Sequence, residues 1–149
     1  MRLAVLAVVL LGCSKSEPPS ALSLAAAACA RGDDVGCAIP ILNVADLRAS
    51  QRYFRDALGF KLEWEDGNPP DFASVSRGEG RLFMCEGCQG NPGTWVMLFT
   101  KDVDKLHDEL VRRKATIRMR PKDMPWGLRE MHVSDVDGNV LRFGSPLRH

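Results

Sequence analysis

The sequence carries almost no excess charge of either sign. Its 20 Lys and Arg stand against 19 Asp and Glu, a formal net charge of +1 at pH 7. No basic run is interleaved with aromatics, so the electrostatic case for a nucleic-acid partner is missing. Long hydrophobic runs are missing too. The longest, Leu3–Leu11, is too short to span a bilayer. There is no GxSxG, no Ser or Cys tied by its spacing to a His, and no glycine-rich loop opening a helix onto a phosphate. Nucleophilic hydrolysis and nucleotide binding thus have no visible seat. Histidine is scarce: His107 lies mid-helix beside Asp108 and Glu109, His149 is terminal, and His132 sits two residues after Glu130.

What is present fits one domain with a real core in 149 residues. Residues 1–12 begin with a single cation, Arg2, followed by an apolar stretch and Gly12-Cys13. That order describes a secretory signal. The segment Leu10-Leu11-Gly12-Cys13 resembles the lipobox of bacterial lipoproteins, which implies cleavage before Cys13 and lipidation of its sulfur. The other reading is a start codon set too far upstream, with the protein cytoplasmic. Residues 13–38 read as a tether: a polar Pro/Ser stretch that cannot bury enough to fold, then an Ala-rich segment with no clear stripe. The folded domain is expected over residues 39–147.

Within it, Ile39–Val44 reads as a strand and Asp46 as the cap of a helix, Leu47–Leu58, with Leu47, Ser50, Phe54, Ala57 and Leu58 inward and Gly59 as its stop. Phe60–Trp64 is a strand, and Asn68-Pro69-Pro70 breaks the chain. Phe72–Arg77 and Arg81–Cys85 form a hairpin around Gly78-Glu79-Gly80. After a loop over Glu86–Thr94 the order repeats. Trp95–Thr100 is a strand, Asp102 caps Val103–Lys114 with Val103, Leu106, Leu110 and Val111 inward, and Thr116–Met119 is a short strand. A loop over Arg120–Pro125 leads to the closing hairpin. There Leu128–Ser134 alternates, Asp137-Gly138 turns, and Val140–Gly144 returns. Asp46 and Asp102 stand 56 positions apart, as do Phe54 and Leu110. The pattern is a duplicated βαβββ unit.

Two stretches, Ile41–Phe60 (ILNVADLRASQRYFRDALGF) and Pro125–Gly144 (PWGLREMHVSDVDGNVLRFG), carry a resemblance to the vicinal oxygen chelate superfamily. This superfamily holds glyoxalase I, ring-cleaving dioxygenases and bleomycin-resistance proteins, and the likeness is to the bleomycin-resistance branch. It implies an α+β fold of paired βαβββ modules, an eight-stranded curled sheet with helices outside. It also implies homodimers with ligand clefts at the shared interface. Metal-using members of the superfamily draw ligands from the first and last strands of each module. The matching positions here are Ile39, Trp95, Arg142 and, with a looser register, Phe83. None of these side chains binds a divalent cation, so no metal and no other cofactor is expected.

The alternation puts Ile39, Ile41, Asn43, Trp95, Met97, Phe99, Glu130, His132 and Arg142 on the concave side, with Trp126 and Trp64 as a stacking wall. An apolar, aromatic face with a few polar groups suits a small molecule; a collapsed ligand-free core looks the same. In the binding reading Arg142 anchors an anionic group of an aromatic ligand, with Glu130 its partner in the empty state. A structural Arg142–Glu130 pair is the plainer alternative. Two functions follow: a metal-free module that binds or sequesters a small molecule, or a divergent lyase, isomerase or transferase using Glu130 and His132 as acid and base. Cys29, Cys37, Cys85 and Cys88 can form disulfides in an exported chain. Cys85 runs from a strand into a glycine loop, not onto a helix, so it reads as a small packed residue, not a catalytic thiol.

Overall fold

The computed structural model describes residues 37–147. The expected signal segment, the tether up to residue 36 with Cys13 and Cys29, and His149 lie outside the described residues. The chain orders its elements as β1 (Ile41–Val44), α1 (Leu47–Asp56), β2 (Lys61–Gly67), β3 (Pro70–Arg77), β4 (Gly80–Glu86), β5 (Trp95–Phe99), α2 (Val103–Arg112), β6 (Thr116–Asp123), β7 (Leu128–Ser134) and β8 (Val140–Pro146). They form two four-stranded sheets of identical topology, β1-β4-β3-β2 and β5-β8-β7-β6. In each, the first strand pairs parallel with the fourth and the hairpins pair antiparallel. The duplicated βαβββ pattern is therefore the architecture.

Both helices start as their sequences require. Asp46 and Asp102 hold extended backbone, and their carboxylates accept from the amides of Ala49 and Lys105. All five expected inward residues are buried, Leu47, Ser50 and Phe54 on α1 and Ala57 and Leu58 just after it, joined by Gln51. On α2, Val103, Leu106 and Leu110 are buried, but Val111 is 50% exposed; it stands one position past Leu110, about 100° round the helix and off the stripe. One hydrophobic core joins the two modules. It takes Leu42, Leu82 and Met84 from the first sheet, Met131, Leu141 and Phe143 from the second, and Phe54 and Leu110 from the helices. Each helix thus covers the back of its own sheet, and both backs face this common core. The other face of each sheet, its open face, is turned away from it.

The modules are also clasped by polar groups. Asp137 accepts from the Ala45 amide and the Ser50 hydroxyl, and Tyr53 Oη donates to the Ser134 carbonyl while accepting from Thr116 N–H. Asn139, fully buried, donates to the Asn43 carbonyl and accepts from the Thr94 amide. Burial pushes the Asp135 carboxyl up from its ordinary value, although Asn139 donates to it.

Several expected bounds change: α1 and α2 each end two residues early, at Asp56 and Arg112, and β2 begins at Lys61 and runs on to Gly67. β6 runs to Asp123 instead of stopping at Met119, so Arg120–Asp123 belongs to the strand. Two register shifts, between Ile117 and Met119 and between Met119 and Lys122, let this edge strand absorb Pro121. Asn68-Pro69-Pro70 makes a tight turn with a cis Asn68–Pro69 bond, and Pro70 already opens β3. Finally, Cys85 is buried as a packed residue would be, but it is disulfide-bonded to Cys88.

Candidate ligand-binding face

Register fixes which side chains share the open face of the second sheet. Met97 stands opposite Arg142, Arg142 opposite His132, and Glu130 opposite Gly144. Paired residues point to the same side, so Trp95, Met97, Phe99, Glu130, His132 and Arg142 line one surface. Trp126, in the loop before β7, folds back onto it. Gly144 leaves room there: a Cβ on it would meet the Met97 methyl.

At the centre lies a carboxylate with no solvent exposure. Glu130 Oε2 accepts from Arg142 Nε at 2.6 Å, and Oε1 accepts from Arg142 Nη2 at 2.8 Å and from Trp126 Nε1 at 2.6 Å. The guanidinium lies over the Trp126 ring, 5.2 Å from its centroid. Burial pushes the Glu130 carboxyl up, but the bonds from Arg142 and Trp126 outweigh it and hold the carboxyl below its ordinary value. Arg142 is raised, chiefly by its bond to Glu130. The bidentate pair leaves Nη1 uncommitted among the described residues, and the Arg142 side chain is 34% exposed. Beside it, His132 packs edge-on against Trp95 with ring centroids 5.1 Å apart. Burial, and then the charge of Arg142, lower its pKa, which favours the neutral imidazole. Around this cluster Trp95, Trp126 and Phe99 are 57%, 56% and 73% exposed.

Ile41 and Asn43 are elsewhere. They sit on the open face of the first sheet, with Ile39 just before β1, and Asn43 is tied to the Gln89 carbonyl. Trp64 also belongs to that face. It stacks on Phe72 and packs edge-on against Phe83, with centroids 5.8 and 5.2 Å apart, and Phe83 closes the triangle on Phe72 at 5.5 Å. Beneath the rings lies Ser74, fully buried, its hydroxyl without a partner among the described residues. This aromatic cluster was not foreseen as a unit. A bulge between Leu62 and Trp64 moves Trp64 onto the face of Ser74, and strict alternation does not show that. His107 is less solvated than its neighbours in sequence imply, with its side chain 15% exposed.

A cleft of about 570 Å³ borders the second sheet between the β3–β4 turn and β5, lined by Phe60, Leu98, Leu106 and Phe143, with Met97 and Phe99 at its lip. Its lining is mixed: Glu79 and Thr100 stand beside the apolar side chains, and its cation, Arg77, is spent on the Leu58 carbonyl and on Glu109. For a divalent ion the donor set does not fit. The expected positions hold Ile39, Phe83, Trp95 and Arg142, and among the described residues no three His, Cys, Asp or Glu side chains converge.

Comparison with known proteins agrees with this architecture. No curated protein matches the sequence. Among solved structures, the bleomycin-binding protein of bleomycin-producing Streptomyces verticillus, complexed with copper(II)-bleomycin, is 29% identical with a TM-score of 0.64, covering 78% of this chain and 100% of its own. The antibiotic-binding protein TnmS3 of Streptomyces sp. CB03234 is 22% identical over the same shares, with a TM-score of 0.64. TioX of Micromonospora sp. ML1 is 22% identical with a TM-score of 0.64, covering 74% of this chain and 100% of its own. Residues 36–143, most of the chain and both βαβββ modules, match the family model, and the chain thereby belongs to the glyoxalase/bleomycin resistance protein/dioxygenase superfamily.

Proposed function

We propose that this protein binds and sequesters a small molecule without metal or other cofactor, and that it does so as a homodimer. The observation that carries the reading is the open face of the second sheet. Three large aromatic side chains stand exposed there around a partly exposed guanidinium. Exposed aromatics grouped on one face mark a binding surface. Relatives of the same fold bind bleomycin or an antibiotic, which supports a small-molecule ligand. The ligand fitting this face is aromatic, for Trp95 and Phe99, and anionic, for the free Nη1 of Arg142. A second copy of the chain completes the cleft by covering the aromatics that one copy leaves in water.

Acid–base catalysis by Glu130 and His132 is less well supported. Both carboxylate oxygens are occupied, and the carboxyl is held ionised by a cation that would have to be displaced before Glu130 could shuttle a proton. For location, we propose a lipid anchor at Cys13 in the cell envelope, resting on the Leu10–Cys13 motif alone. Labelled palmitate should enter the protein and be lost in Cys13→Ser; an unlabelled cytoplasmic protein overturns the anchor and leaves the binding reading intact.

Native mass spectrometry of protein taken directly from its producing cell should show a retained small molecule and two chains. Arg142→Met should keep the fold and weaken binding of that molecule by about 1.5–3 kcal/mol, the size of a charge-assisted hydrogen bond. A melting temperature lowered equally by Arg142→Met and Glu130→Gln, with unchanged affinity, would make the pair structural and remove the anchor.

A further inference from the structure

The Cys85–Cys88 disulfide joins two very different environments. Cys85 is the penultimate residue of β4, on the open face of the first sheet, opposite Asn43 and Phe72, and has no exposure. Cys88 lies in the following loop and is exposed. The ring they close spans only four residues and bends at Gly87, whose φ is +66°. So short a loop restrains the unfolded chain little, which makes global stability a weak reason for the bond. What the bond restrains is the segment leaving β4. That segment lies against β1, an edge strand. Glu86 accepts from the Leu47 amide at the start of α1, Gly87 N–H donates to the Val44 carbonyl, and Asn43 Nδ2 donates to the Gln89 carbonyl. Gly90 packs against the backbone of Ile41, where a Cβ would lie 3.4 Å from its carbonyl oxygen, an ordinary contact. The segment ends at Thr94, whose amide is held by Asn139, and the next residue is Trp95. Apart from the disulfide, the holds on the loop between Gly87 and Gly90 are, among the described residues, single hydrogen bonds to an edge strand.

We infer that Cys85–Cys88 is a thiol-exchange site through which a dithiol reductant releases the loop Gly87–Thr94 from β1 and so frees the chain leading into Trp95 of the proposed ligand face. The accessible sulfur sets the direction of attack. A thiolate of the reductant attacks Cys88 Sγ, the Sγ–Sγ bond breaks, and Cys85 leaves as a thiolate that takes a proton. The reductant's second thiol then attacks the mixed disulfide and frees Cys88 as a thiol. Two electrons pass to the protein, and the reductant leaves as its own disulfide. With the ring open, Gly87 and Gly90 are free to turn, and the bonds to Val44 and Asn43 are no longer held in register. The release of the loop stands on this geometry alone. Its effect on ligand rests on the binding reading proposed above.

The experiment is hydrogen exchange by mass spectrometry on the full chain, with and without dithiothreitol, alongside a count of alkylatable thiols. Reduction should expose Cys85 and Cys88 to alkylation and speed exchange of the Gly87 and Thr94 amides, the two in this loop that donate to a partner among the described residues, at least tenfold, while amides around Phe54 and Leu110 stay protected. Because other cysteines are also reduced, the Cys85→Ser/Cys88→Ser variant is the control. It should exchange fast in this loop without reductant and gain nothing from it. Unchanged loop exchange in the reduced wild type, or two free thiols at these positions in protein isolated under oxidising conditions, overturns the proposal. A small molecule retained by the oxidised protein and lost on reduction supports the gating. If the loop opens and no small molecule is carried in either state, the exchange site stands and the binding reading falls.

Discussion

The two modules share one topology and one core, yet their open faces are opposites. In the first, Trp64, Phe72 and Phe83 pack on one another over a buried Ser74. In the second, Trp95, Phe99 and Trp126 stay in water around an ion pair. Duplication kept what the fold needs: the Asp caps, the apolar stripe of each helix and the backs of the sheets. It left the open faces to diverge. Apolar area hidden in a closed cluster contributes to stability, whereas area left exposed contributes only once something covers it. The first face has spent its aromatics on itself, and the second holds them in reserve.

The largest test of that contrast exchanges one phenylalanine from each face. Phe83→Ala removes a ring that is 9% exposed and should cost about 3 kcal/mol of stability in urea unfolding. Phe99→Ala removes a ring that is 73% exposed and should change the unfolding free energy of a single chain by no more than about 0.5 kcal/mol. Its effect should fall on dimer formation or ligand retention. Equal losses of stability from both would end the distinction between the faces.

A smaller effect isolates the ion pair. The Glu130 carboxyl is held below its ordinary value of 4.5, the Arg142 and Trp126 bonds prevailing over burial. A depressed carboxylate contributes stability that is fully present above the unfolded value and lost as pH falls through the folded one. Unfolding free energy should therefore fall below about pH 4.5, and the Glu130→Gln variant should show a flatter acid limb. Asp135 works in the opposite sense, since burial raises its carboxyl, so its protonation in acid relieves a cost. The comparison with Glu130→Gln removes that common background. An identical acid limb in both proteins would mean that the pair contributes nothing to stability.

How far the sequence reaches is itself uneven between the modules. The Arg142–Glu130 pair was legible because β7 and β8 alternate without a bulge across a tight Asp137-Gly138 turn, so position along the chain gives position on the face. The helices were legible because a single Asp caps each one. The first face was not: one bulge beside Trp64 changes which residues are neighbours, and a period-2 reading has no mark for it. β6 was cut short for the same reason, its two register shifts hiding a strand that runs through Pro121. The meeting of the two sheets' backs in one core was beyond reach as well, since each helix stripe reads the same whether one sheet or two lie against it.

The smallest effect lies at the ends of the two helices. After α1 the chain turns at Gly59, φ +70°, where a Cβ would come within 2.8 Å of Arg77 Nη1. After α2 the left-handed position falls on Lys114, φ +63°, the one non-glycine residue with positive φ among the described residues. For an L-residue this conformation costs roughly 1–2 kcal/mol through the approach of its Cβ to the backbone, and glycine escapes that cost. Glycine also gains freedom in the unfolded chain, which gives back part of the difference. Lys114 is exposed, so little packing is lost with its side chain. Lys114→Gly should therefore raise the unfolding free energy by about 0.5–1 kcal/mol, and the reverse change at the other helix, Gly59→Ala, should lower it by more, because a clash with Arg77 adds to the strain. Chemical denaturation of both variants reads the two signs directly. Should Lys114→Gly destabilise the protein, the exposed lysine must make a contact worth more than the strain it bears, and the two helix ends would differ by selection for that contact, not by tolerance of a small cost.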